Sequence, residues 1–145
     1  MRGGCALIDR SDVVRIKMPF PDITSNLAVN SHMYICHHVS GNTVSFVKCQ
    51  TLKPYMLISS PIKHYWDEAP DIARNPFQRT TRIDCDKEFV TFNVCYDDRL
   101  KTVTRPDVCG DVMAHIDTEL ICDGYISNKI AESDLLALNN LIHLI

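Results

Sequence analysis

Three side chains in this sequence could together carry out phosphodiester chemistry: His32, Thr51 and Arg82. Histidine is the residue whose ordinary pKa lets it give and take protons near neutrality. A threonine hydroxyl can hydrogen-bond a phosphate oxygen and orient it, and arginine supplies a planar, permanently charged donor fork. Metal-free cleavage of RNA needs such parts: a group to deprotonate the ribose 2′-hydroxyl, a group to protonate the leaving oxygen, and positive charge beside the phosphate. Gln50 stands next to Thr51, and Arg15, Lys17 and Arg79 are further groups that could hold a phosphate backbone. Each has a plainer reading. A histidine near a strand start is commonly a surface residue, threonine favours strands on propensity alone, and Arg15 and Lys17 alternate as a solvent face would. Arg79 and Arg82 would point to opposite faces of a regular strand, so at most one should line a single cleft. No Gly-x-Ser-x-Gly elbow, glycine-rich phosphate loop or metalloprotease helix motif is present.

The elements that must position these groups begin with Asp12–Met18. Val14, Ile16 and Met18 alternate with Val13, Arg15 and Lys17, the period-two signature of a half-buried strand. Pro19 and Pro21 remove two backbone donors and end the pairing, and Asp22, Thr24, Ser25 and Asn26 supply turn chemistry. Asn30 to Val39 reads as a second strand and Thr43 to Thr51 as a third, joined through Ser40-Gly41-Asn42. With Gly41-Asn42 as the two-residue loop, Ser40 faces Thr43, His38 faces Ser45, Cys36 faces Val47, Tyr34 faces Cys49 and His32 faces Thr51. Direct partners share a face with Cβ atoms about 4.5–5.5 Å apart. The hairpin therefore predicts an imidazole beside a hydroxyl at its open end, and a one-residue slip would undo it.

Farther along, Tyr55 to Ile58 could be a short strand between Pro54 and Pro61. Lys63 to Gln78 is irregular, rich in proline and charge; it is either a binding loop offering Trp66 or a surface connection with Trp66 tucked onto the body. Arg79–Cys85 and Glu88–Tyr96 read as strands, the latter with Val90, Phe92, Val94 and Tyr96 on one face, and Thr102–Thr104 as a short last strand. Val112, Met113, Ile116, Leu120 and Ile121 then recur at helical spacing with Gly124 as a stop. A second helix carries Leu135, Leu138, Ile142 and Ile145, capped at Ser133 or Ser127. The expectation is one mainly β domain over residues 1–145 with C-terminal helices.

"DVVRIKMPFPDIT" resembles the opening strand and loop of the PemK/MazF family of bacterial toxins. "SHMYIC" and "FVKCQT" continue the likeness more faintly, over roughly residues 10–105. The resemblance implies a small SH3-like barrel, a toxin of a toxin–antitoxin system, and metal-independent endoribonuclease activity on single-stranded RNA with no cofactor. It also implies a homodimer and a cognate antitoxin segment that blocks the cleft. On that reading His32 does acid/base work, Thr51 orients phosphate and Arg82 stabilises charge, with Arg15, Lys17, Gln50, Arg79 and Trp66 binding substrate. The family's arginine before its second strand is missing, and Ser31 and His32 stand there. A catalytically inactive barrel that binds RNA, an antitoxin peptide or another protein is therefore the rival.

Composition sets the limits. The chain of 145 residues is 46% hydrophobic and 23% charged, ordinary values for a folded domain. A net charge of −3 does not favour phosphate binding, so any RNA cleft would have to be locally basic. No apolar run approaches the length of a membrane helix, the first eight residues lack a signal-peptide pattern, and a cytoplasmic protein is expected. The cysteines, at 5, 36, 49, 85, 95, 109 and 122, are odd in number with no Cys-x-x-Cys and read as reduced. Cys36, His37 and His38 match no common metal-ligand spacing, and no metal site is assigned.

Overall fold

The computed structural model describes residues 5–6, 8–59, 62–122 and 125–145. The strands are β1 (Cys5–Ala6), β2 (Val13–Ile16), β3 (His32–Ser40), β4 (Thr43–Thr51), β5 (Tyr65–Glu68), β6 (Thr81–Asp84), β7 (Lys87–Phe92), β8 (Val94–Asp97), β9 (Ile126–Lys129) and β10 (Ile142–Leu144). The helices are α1 (Asn26–Val29), α2 (Gly110–Cys122) and α3 (Glu132–Leu138). A seven-stranded sheet follows the path β2-β3-β4-β6-β5, with β7 also paired to β4 and β9 to β7; β1-β8-β10 form a separate small sheet. All pairings are antiparallel except β7–β9.

The architecture is mainly β with a few helices, and the expected barrel is not closed. Closure would need the two ends of the path, β2 and β5, to pair. Instead the outer edge of β2 is met by isolated bridges from Asp107 to Asp12 and from Lys101 to Val14. Both faces of the large sheet are covered. On one lie Val14, Ile16, Met18, Tyr34, Cys36, Phe46 and Phe89, packed with Tyr96 of β8, Leu135 of α3 and Ile142 of β10. On the other lie Val13, Ile35, Val47, Cys49, Ile83 and Cys85 against Val112, Met113, Ile116 and Leu120 of α2. Val13 and Val14 are thus both fully buried, while Arg15 stays exposed.

Several expectations change with distant contacts. Residues 54–57 form a 3-10 helix rather than a strand, with Pro54 at its start, where a missing N–H costs nothing. The strand expected over Glu88–Tyr96 is two, β7 and β8, because Asn93 takes φ 56° and sends the chain into the other sheet. Thr102–Thr104 is not a strand. The second C-terminal helix stops at Leu138, Ile142 belongs to β10, and Ser127 lies in β9; Ala131 stands at the N-cap of α3 without a side-chain bond. Ile121 is 76% exposed, outside the buried stripe of α2. Gly124 lies outside the described residues. Cys36, Cys49, Cys85 and Cys109 are free, but Cys95 is disulfide-bonded, against the expectation of a fully reduced set.

Candidate functional site

The site follows from the way β4 changes partners. Its first residues pair with β7 on one edge and β3 on the other, and the β3 ladder ends at Tyr34 opposite Lys48. Cys49, Gln50 and Thr51 pair with Ile83, Arg82 and Thr81 of β6 instead. The start of β3 meanwhile keeps β2, with Ile16 opposite His32 and Arg15 opposite Met33. The two strands therefore part, and a groove of about 360 Å³ opens in the fork. Ser31, His32 and Met33 line one wall, Lys48, Gln50 and Thr51 the other, and Lys53, Tyr55 and Met56 its mouth.

A second groove of about 540 Å³ shares Arg15, Met33, Thr51 and Thr81 with the first, so the two form a continuous channel. It adds Gln78 and Arg79 on one side and Arg99, Lys101, Thr102 and Thr104 on the other. Six cations face the channel, and among the described residues no aspartate or glutamate lines it. Arg99 is engaged by Asp97 at 2.9 and 3.0 Å, and Lys101 lies 3.4 Å from Asp12. Arg15, Lys48, Lys53 and Arg79 have no carboxylate within ion-pair distance among the described residues. The overall negative charge thus coexists with a locally basic channel.

The expected register of the hairpin holds only near its turn. Ser40 faces Thr43 and His38 faces Ser45 as expected, with Gly41 at φ 59°. A bulge then lets Cys36 face Phe46 and Tyr34 face Lys48, one residue out of step with the expected pairs. His32 and Thr51 are consequently not cross-strand partners. They stand on separate walls of the same groove, with Arg15 also lining it.

His32 Nδ1 lies 3.0 Å from the carbonyl oxygen of Asn30. A carbonyl only accepts, so Nδ1 carries the proton and Nε2 is left as an acceptor. Partial burial pushes the imidazole pKa down, and Lys48 and Arg15 add to that, so the ring is neutral at pH 7. Gln50 Nε2 donates to Asp84 Oδ1 at 2.9 Å, which fixes its amide at the groove wall. Burial pushes the Asp84 carboxyl up to about 6.

Three other expected residues do not reach the channel. Arg82 is 1% exposed: Nε and Nη2 donate to both oxygens of Asp67 at 2.8 and 2.9 Å, Nη1 donates to the Met56 carbonyl, and its guanidinium lies 3.6 Å from the Tyr65 ring centre. It is a structural clamp, because the strand pairing puts Asp67 directly opposite it. Trp66 stacks on His115 of α2 at 3.5 Å and donates to Glu68. Lys17 lines neither groove, and its backbone is held on both sides by the Asn139 amide. Arg15, Gln50, Thr51 and Arg79 do line the channel, and of the two arginines flanking Thr80-Thr81 only Arg79 does so.

Lys48, Lys53 and Tyr55 line the groove as well, beyond the residues the sequence pattern singles out. Lys48 shares a face with Gln50 in any regular strand over residues 43–51, so its signal was present. Tyr55 was hidden by the strand reading of its segment. Among the described residues no group of three or more His, Cys, Asp and Glu side chains could hold a metal ion, and His37 instead sits between Glu88 and Asp117. No helix there is long and apolar enough to cross a membrane. Compared with known proteins, the chain matches no family model, no curated protein and no solved structure.

Proposed function

We propose that this protein binds single-stranded RNA along the forked channel and cleaves it at His32 without a metal ion. The observation that carries the reading is a channel faced by six cations and, among the described residues, no carboxylate, with a neutral imidazole and a hydroxyl both lining its inner part. Arg15, Lys48, Lys53 and Arg79 track the phosphates, and the hydroxyls of Thr51 and Thr104 donate to non-bridging oxygens, those of Thr81 and Thr102 being committed to backbone carbonyls. His32 Nε2 takes the proton of a ribose 2′-hydroxyl. The 2′-oxygen attacks the adjacent phosphorus, the bond to the 5′-oxygen breaks, and that oxygen takes a proton from solvent. The products are a 2′,3′-cyclic phosphate and a free 5′-hydroxyl. Arg15 and Lys48 offset the charge that builds on the phosphorane, the part that the buried Arg82 does not reach. The likeness of the opening strand and loop to PemK/MazF toxins supports the same reading, and with it a homodimer and an antitoxin segment competing for the channel.

Incubating the protein with a single-stranded oligoribonucleotide in EDTA tests this directly. Cyclic-phosphate products from the native protein and none from His32→Ala are expected, with circular dichroism unchanged. Tight binding without cleavage would overturn the catalytic part and leave an RNA-binding domain. That second reading is favoured by one observation: among the described residues His32 is the only imidazole lining the channel, so no histidine pair is available for acid and base.

A further inference from the structure

Tyr55 is 63% exposed, yet it stands at the mouth of the inner groove beside Lys53, near Gln50 and His32. Exposed aromatic rings are ordinarily mobile, but this one is mounted on a braced segment. The 3-10 helix Pro54–Leu57 is closed by the Met56 N–H donating to the Lys53 carbonyl at 2.9 Å. The Met56 carbonyl in turn accepts from Arg82 Nη1 at 3.2 Å. Arg82 is gripped by Asp67 and covered by Tyr65, so the helix rests on a buried, ion-paired arginine and not on solvent. Burial of that arginine, useless for catalysis, thereby acquires a purpose.

We infer that Tyr55 is a stacking platform for one nucleobase of the strand held in the channel, an inference that rests on the RNA reading above. A basic track with an aromatic face beside it is the arrangement by which proteins grip single strands, because every base has a π-face and every linkage a charge. Lys53 and Lys48, which line the same groove as the ring, neutralise phosphates of the strand whose base it holds. Gln50 adds a fixed amide: one hydrogen of its NH₂ is committed to Asp84, which holds the group in place and leaves the carbonyl oxygen to accept from a base edge. Bases in a duplex are already stacked on one another, so the platform selects single strands.

Two probes separate the ring from the charges: a 2′-O-methyl oligoadenylate, which cannot be cut through its 2′-oxygen, and inorganic polyphosphate, which has charge and no base. Tyr55→Ala should weaken the oligoadenylate about tenfold, the order expected of one stacked base, and shift polyphosphate affinity less than about twofold. Tyr55→Phe, which keeps the ring, should bind both probes as the native protein does. Equal weakening on the two probes, or no weakening on the oligoadenylate, overturns the platform. Native protein that binds polyphosphate but not oligoadenylate also overturns it, while leaving an anion-binding channel. Binding of neither probe removes the channel reading itself.

Discussion

Replacing Asp84 by Asn should shift stability increasingly in the variant's favour as pH rises. Asp84 is 4% exposed, and burial, partly offset by the Gln50 hydrogen bond and by Lys48, raises its pKa from 3.8 to about 6. Between those values the folded protein holds a proton that the unfolded chain has released, so stability falls as pH rises through the window. Each pKa unit corresponds to about 1.4 kcal/mol, so the buried carboxylate costs about 3 kcal/mol near pH 7.5 and about 1 kcal/mol near pH 4.5. Asparagine keeps the oxygen that accepts from Gln50 Nε2 and carries no charge. Any fixed penalty for burying its NH₂ is the same at both pH values and cancels in their difference. Urea unfolding of the native protein and Asp84→Asn at the two pH values should therefore show the variant gaining about 2 kcal/mol on going from about pH 4.5 to about pH 7.5. An equal effect of the substitution at both pH values, or a gain on the acid side, would refute the assignment of burial as the dominant cause.

The two arginines either side of Thr80-Thr81 should behave in opposite ways. Arg82→Ala removes a fully buried side chain and leaves the partly exposed Asp67 without its partner, and should cost about 2–3 kcal/mol in denaturant unfolding, while Arg79→Ala should leave stability within about 0.5 kcal/mol and weaken RNA binding. With four unpaired cations on the channel, the logarithm of RNA affinity should fall against the logarithm of salt concentration with a slope of about −3, and of about −2 for Arg79→Ala, in a fluorescence titration. Because burial and neighbouring cations depress the His32 pKa in the free protein, the acid limb of kcat/KM for cleavage should lie below the ordinary imidazole value of 6.5, and Lys48→Ala should move it upward. A limb at or above 6.5 would assign the base elsewhere.

What could be read in the chain was what local periodicity encodes. The bounds of β4, the alternation around Val14 and Ile16, the glycine turn and the buried stripe of α2 all follow from spacing of apolar residues and from one positive-φ position. What escaped was settled by partners far away in sequence. The bulge leaves no mark in the residues flanking His37; the Arg10 guanidinium holds its carbonyl, while Glu88 and Asp117 hold its ring. Asn93 did carry a signal, since asparagine tolerates a left-handed backbone, but a single polar residue inside an alternating run is ordinary on a strand. Arg82 stands out in the sequence by its charge, and only its pairing opposite Asp67 turns it inward. His32 and Thr51 do meet in one groove, by the parting of two strands and not by the ladder that predicted it.

β4 is hydrogen-bonded to β3, β6 and β7, more partners than any other strand among the described residues, and each groove wall is attached to the other through it. Opening it means releasing three neighbours at once. Its amides should then be the last in the molecule to exchange with deuterated solvent, while those of β5 and β9, on the sheet's rims, exchange through smaller openings. A protease or a mechanical pull would find the rims first and leave the groove's scaffold standing until the whole fold gives way.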